Sequence, residues 1–179
     1  MENQLERLEK EGLSDPGSLV RLYSSLTKAY FDSGLYTKAG EAAAEALRLA
    51  PRVEDPARLA QMHVNLTGTL IQRGELQDAE ASLLRAEDLY RQAELRTELG
   101  RAQLARGFVL SRGDRHDEAR SLLEAARGVF VDTSSTLDEA RTLNELGRLD
   151  RLQGDMSAAV RILERVSNVR VAVLAPSVA

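Results

Sequence analysis

The chain has 179 residues, no Cys, no Trp, 43% hydrophobic and only 4% aromatic side chains, and a net charge of −4 from 24 basic and 28 acidic groups. That composition points to a single Ala/Leu/Arg-rich helical domain of a size that buries about 70% of its unfolded surface. It excludes disulfides, thiolate nucleophiles and the usual zinc sites. The acidic balance argues against indiscriminate adhesion to nucleic acid or anionic lipid. No apolar run has the length of a membrane span, and the charged start MENQLERLEKEGL is no secretory signal, so the chain reads as cytoplasmic.

Residues 1–15 form the first expected element, a short helix with Leu5, Leu8 and Leu13 on one side, as the remnant of a preceding repeat would present them. From there a period of 40 residues governs the chain. Ala39, Ala79, Ala119 and Ala159 are followed four positions later by Ala43, Leu83, Leu123 and Leu163, and three positions after those by Ala46, Ala86, Ala126 and Val166. The spacing i, i+4, i+7 marks one face of a helix. Gly34, Gly74, Gly113 and Gly154 stand just before these helices, where a left-handed residue ends the previous one, with Gly113 one position early. Upstream, the small residues Thr27, Thr67, Gly107 and Gly147 let two helices approach closely.

Asp15-Pro16 and Asp55-Pro56 each place an acceptor ahead of a proline at the first helical position. Ser135-x-x-Asp138 and Thr136-x-x-Glu139 have the form of capping boxes. These signals predict first helices near 16–33, 56–73, 95–112 and 136–153, and second helices near 36–50, 76–92, 116–130 and 156–168. The repeats then cover 16–52, 56–92, 95–131 and 136–168, within one domain over 16–168, and an apolar tail follows over 169–179. One antiparallel pair cannot cover its own apolar stripe, so the pairs stack.

The Leu-Gly-type pair on a first helix, followed by a turn and an Ala-x3-large-x2-Ala second helix, resembles the tetratricopeptide repeat over about residues 20–166. The 40-residue period resembles the long type found in bacterial regulators and kinesin light chains. This resemblance implies an all-α, right-handed superhelical solenoid of about four antiparallel helix pairs, acting as a protein- or peptide-binding module. Two departures stand out: the period exceeds the commonest 34, and the Trp and Pro positions are mostly absent, Pro51 being the one match.

In proteins of this kind the concave wall comes from set positions of the first helices. Projected here, repeat one contributes Arg21, Ser24, Ser25, Lys28, Phe31 and Asp32, and repeat two Gln61, Val64, Asn65, Gly68, Ile71 and Gln72. Repeat three contributes Arg101, Leu104, Ala105, Phe108, Ser111 and Arg112, and repeat four Arg141, Asn144, Glu145, Arg148, Arg151 and Leu152. Seven basic residues face two acidic ones on this wall, while Glu41, Glu45, Asp78, Glu80, Glu87 and Asp88 are among the acids on the second helices. The candidate groove residues are Arg21, Lys28, Phe31, Asn65, Ile71, Arg101, Phe108, Arg112, Arg141, Asn144, Arg148 and Arg151. Asparagines suit peptide backbone, arginines suit carboxylates, and Phe31, Ile71 and Phe108 add apolar contact, so the expected ligand is an acidic peptide or a carboxylate. Arg148 and Arg151, at i, i+3, form the leading pair. The bland alternative is that the arginines are solvated or paired with neighbouring acids.

No phosphate loop, nucleophile elbow or HExxH motif is present, so no enzymatic activity and no cofactor are expected. His63 falls in a packing column, and His116 with Asp114 and Asp117 reads as a polar helix start, not a metal site. Long-period repeats of this kind suggest, by analogy, the sensor or interaction region of a larger bacterial transcription regulator. Direct nucleic-acid binding is disfavoured by the acidic exterior and scarce aromatics. The competing reading is a homo-oligomerisation scaffold.

Overall fold

A computed structural model describes residues 16–50, 55–162 and 164. The expected helix within 1–15, Asp15, Pro51 and the tail at 169–179 lie outside the described residues. The helices are α1 (Pro16–Asp32), α2 (Tyr36–Leu49), α3 (Pro56–Arg73), α4 (Leu76–Gln92), α5 (Arg96–Arg112), α6 (His116–Asp132), α7 (Thr136–Leu152) and α8 (156–162). Seven starts fall within one residue of the predicted positions, as does that of α8.

Two compact units divide between Ala93 and Glu94. In the first, α1 packs on α2, α3 on α4, and α3 also meets both α1 and α2. In the second, α7 meets both α5 and α6, which pair with each other. Ala39, Ala79, Ala119 and Ala159 are all buried, as the repeat requires. The first unit's core joins Leu19, Val20, Ala46, Leu49 and Met62, and the second's joins Leu110, Leu123, Leu143, Leu146, Leu149 and Ile162. Each fully buried Leu contributes about 1.5–3 kcal/mol from removal of apolar surface from water.

The turns repeat more finely than the helices. Positive φ occurs at Gly34, Gly74, Glu94, Asp114, Ser134 and Gly154, so described turns between first and second helices and those between repeats share one design. Its hydrogen bonds are those of a Schellman motif: Leu35 N–H donates to Tyr30 O, Glu75 N–H to Leu70 O, Arg115 N–H to Leu110 O and Asp155 N–H to Asp150 O. The expected left-handed Gly113 is corrected here, because its φ is −91. Asp114, at φ 59, keeps the 40-residue register in its place. Asp visits this region at modest cost, so the backbone column prevails over the glycine.

Asp55 caps α3 as predicted, its side chain accepting from Arg58 N–H at 3.1 Å with Pro56 at the first helical position. The capping boxes at the start of α7 do not form. Ser135 makes no side-chain cap bond, and Asp138 turns to arginine partners instead.

Candidate functional site

In the first unit the inner sides of α1 and α3 enclose an open recess of about 520 Å³, lined by Ser24, Ser25, Lys28, Phe31, Val64 and Asn65 among others. Helical spacing of three and four residues brings Ser24, Lys28 and Phe31 to one side of α1. Gly68 makes room: a Cβ there would lie 3.2 Å from the Phe31 ring. Phe31 also meets the Tyr36 ring edge-on at 5.4 Å between centroids. Lys28 Nζ sits 2.7 Å from Asp32, so its charge is matched on its own helix. Gln61 Nε2 donates to Asn65 Oδ1 at 3.0 Å, which turns the Asn65 NH₂ group toward other acceptors. Of the predicted residues in this unit, the recess thus unites Lys28, Phe31 and Asn65. Arg21, which donates to Ser18 Oγ at 2.7 Å, and the half-buried Ile71 do not line it.

The second unit gathers its arginines differently. Arg101 Nε on α5 donates to Asp138 Oδ2 at 2.8 Å, and Arg141 Nη1 donates to Asp138 Oδ1 at 3.1 Å. The Asp138 side chain is only 4% exposed, so one buried carboxylate anchors two of the predicted arginines. Phe108 carries the Arg148 and Arg112 guanidinium carbons 5.2 and 5.9 Å from its ring centroid. Arg148 Nε donates to Glu145 at 2.8 Å and its Nη2 to the buried Ser111 Oγ at 3.0 Å. Arg151 is exposed and makes no hydrogen bond or ion pair among the described residues. Asn144, Arg148 and Arg151 line a recess of about 300 Å³ whose floor is Gly147, Ala159 and Ile162.

Asp138 was hidden from sequence reasoning because its spacing from Ser135 imitates a capping box. Asp150 also escaped notice: it is buried on α7 and accepts from Arg120 on α6, which also donates to Gln153 at 2.8 Å. The signal that could have found both is an acid on the otherwise apolar side of a helix.

Elsewhere, His63 Nδ1 stands 3.0 Å from Ser82 Oγ, and burial, with Arg85 nearby, holds the imidazole pKa below its usual value of 6.5. His116 Nε2 is 3.9 Å from Asp114. Among the described residues, no group of three or more His, Cys, Asp or Glu could hold a metal ion, and no helix is long and apolar enough to cross a membrane.

The family model described as Tetratricopeptide repeat matches residues 98–170. Regulatory protein AfsR of Streptomyces griseus is 33% identical over 135 residues, which is 74% of this chain and 13% of that protein. The chain therefore spans a small part of this relative. BtubC from P. vanneervenii has a similar structure with a TM-score of 0.81 at 21% identity, covering 96% of this chain and 74% of its own. The Rap conjugation gene regulator of plasmid pLS20, solved in complex with the Phr* peptide, has a TM-score of 0.78 at 15% identity, covering 89% of this chain and 44% of its own. Helix pairs, a sustained 40-residue period and these likenesses agree: residues 98–170 match the tetratricopeptide-repeat family, and the described residues have the helical-repeat fold of such proteins.

Proposed function

We propose that the chain is a non-catalytic binding module that holds a peptide segment of a protein partner against the inner sides of its first helices. The observation that carries this reading is the open recess of about 520 Å³ in the first unit, which Asn65, Ser24 and Ser25 line together with Phe31. Polar groups of this kind can match peptide backbone, while the ring supplies apolar contact. The Rap regulator complexed with a peptide supports the reading, and the regulatory protein AfsR supports a role as the sensor or interaction part of a larger bacterial regulator. Arg112, Arg148 and Arg151 bias the preferred segment toward acidic residues or carboxylates.

An array of ten-residue peptides of acidic, neutral and basic composition, probed with the labelled protein, tests this directly. Acidic peptides are expected to retain the protein, with retention falling more than tenfold for Arg148→Glu with Arg151→Glu. Retention independent of peptide sequence would overturn the reading. Leu152, Met156 and Val160, exposed by 56%, 61% and 52%, favour a second reading as a homo-oligomerisation scaffold. Sedimentation that speeds up with concentration, together with an inert array, would select it.

A further inference from the structure

We infer that the recess between α1 and α2 takes the guanidinium of an arginine side chain on a partner protein, seated over the Tyr30 ring with its edge on the Glu41 carboxylate. This site is separate from the one proposed above. The two recesses share no lining residue, because Ser24, Lys28 and Phe31 lie on one side of α1 and Tyr23, Leu26 and Tyr30 on another. At about 270 Å³ the recess falls just below the range of about 300–1,000 Å³ for sites that enclose a whole small ligand, and it suits a single side chain.

Its two walls are built at the same helical spacing. Tyr23, Leu26 and Tyr30 follow one another at i, i+3 and i+7 on α1, and Lys38, Glu41 and Glu45 do so on α2, beside the buried Ala42. Repeat one alone carries a tyrosine at both positions of this column, the counterparts being His63 and Leu70, Gln103 and Leu110, and Leu143 and Asp150. Two of the three charged groups in the recess are already engaged. Glu45 accepts from Arg48 Nε at 3.0 Å, and Lys38 Nζ stands 6.0 Å from the Tyr30 centroid, at the outer limit of about 6 Å for a cation over a ring. Glu41, one turn from Lys38 and exposed, has no hydrogen bond or ion pair among the described residues. The chain's own ammonium therefore rests loosely on the ring and leaves this carboxylate unmatched. A guanidinium meets both at once, since its plane stacks on an aromatic face while its N–H edge forks onto a carboxylate, and an ammonium has neither plane nor fork. Leu26 and Ala42 supply hydrocarbon for the methylene stem behind the charge. An arginine within a chain brings that single positive charge alone, whereas free arginine also brings an α-carboxylate toward Glu41 and Glu45.

The test is NMR titration of the ¹⁵N-labelled protein, following the Tyr30, Glu41 and Ala42 amides, with three blocked amino acids. N-acetyl-arginine N-methylamide imitates an arginine within a chain, the lysine analogue keeps the charge without the plane, and the citrulline analogue keeps the plane without the charge. The arginine probe is expected to shift these signals saturably, with a Kd about fivefold below that of either other probe. Glu41→Gln, an exposed substitution, should raise that Kd about fivefold without moving the Tm. Tyr30→Leu, which installs the residue that α3 and α5 carry in this column, should raise it by about as much through loss of the ring. Lys38→Gln should lower it about twofold, because the competing cation is gone. No shift, equal binding of either other probe, or an unchanged Kd in any of the three variants would each overturn the inference. Self-association in sedimentation that Glu41→Gln abolishes would give the recess to an arginine of a second copy and overturn the assignment to a partner. The acidic-peptide array reads the other recess, so its outcome and this one stand independently.

Discussion

The two units use the same columns of the repeat for opposite purposes. Position 68 of α3 is Gly, which leaves the recess beside Phe31 open, and the corresponding position of α7 is Arg148, which lies over Phe108. Position 70 of α3 is a buried Leu, and its counterpart Asp150 is buried on an arginine. Gly40 of α2 leaves room for the Thr69 methyl and the Arg73 guanidinium, while its counterpart Arg120 of α6 supplies that partner for Asp150. One backbone plan therefore accepts Leu70 and Gly40 in the first unit where the second places the ion pair of Asp150 and Arg120. The lesson is that the repeat dictates where helices meet, and the residues in each column decide by what chemistry.

The largest effect that would break this comparison comes from removing one half of that ion pair. Arg120→Ala leaves the Asp150 carboxylate, 3% exposed, without its cation, at a cost of about 3–5 kcal/mol in the unfolding free energy of the second unit. Arg120→Met with Asp150→Leu replaces the pair by hydrocarbon and should cost far less, because no charge is left buried. Denaturant unfolding followed by amide exchange in α6 and α7 measures both. Equal losses in the single and double variants would show that the ion pair is not what seats α7.

A second contrast lies between α1–α2 and α5–α6. Thr27 and Ala43 are buried in the first pair, and the corresponding residues of the second are Gly107 and Leu123, a small-for-large exchange across the interface. A Cβ on Gly107 would come within 2.7 Å of the Leu123 side chain, so Gly107→Ala should cost about 1–3 kcal/mol. Gly107→Thr with Leu123→Ala restores the pairing of the first unit and should recover part of that loss in thermal unfolding. If the double variant is worse than Gly107→Ala, the two interfaces are not interchangeable.

These columns also show how much of the molecule was legible beforehand. Helices were readable because an Ala face at i, i+4, i+7 recurs in four copies, and the first-unit recess was readable because Lys28, Phe31 and Asn65 occupy repeat positions whose direction the helix dictates. The partners of the arginines were not. Arg101 and Arg141 reach 37 and 3 residues to Asp138, and no local spacing distinguishes an acid that caps its own helix from one that turns to a neighbouring helix. Gly113 misled for a related reason: glycine permits a left-handed turn but does not impose one, and the turn's hydrogen bonds placed it at Asp114.

The helix starts sharpen the same comparison with a smaller effect. Asp55 accepts from the Arg58 N–H at the start of α3, so Asp55→Ala should cost about 1 kcal/mol. Ser135 occupies that position ahead of α7 without a side-chain cap bond, and Ser135→Ala should change stability by less than about 0.5 kcal/mol. Matched Tm measurements on the two variants decide it, and an equal drop would mean that Ser135 contributes through a contact other than capping.

The smallest effect is confined to the first unit, where His63 replaces the apolar Leu143 of α7. Burial first, and Arg85 second, lower the His63 pKa in the folded state below 6.5. Above 6.5 the imidazole is neutral in both folded and unfolded chains, and its contribution is fully present. As pH falls below 6.5 the unfolded chain takes up the proton first, so stability declines until the folded-state pKa is passed and both forms are charged. His63→Gln retains a polar side chain for Ser82 and removes the titration, so the difference in unfolding free energy between wild type and variant should slope with pH only below about 6.5. In the second unit the corresponding position does not titrate, and Leu143→Gln should lower stability without adding any slope. A slope of opposite sign in the His63 comparison would mean that the imidazolium finds a carboxylate partner in the folded unit.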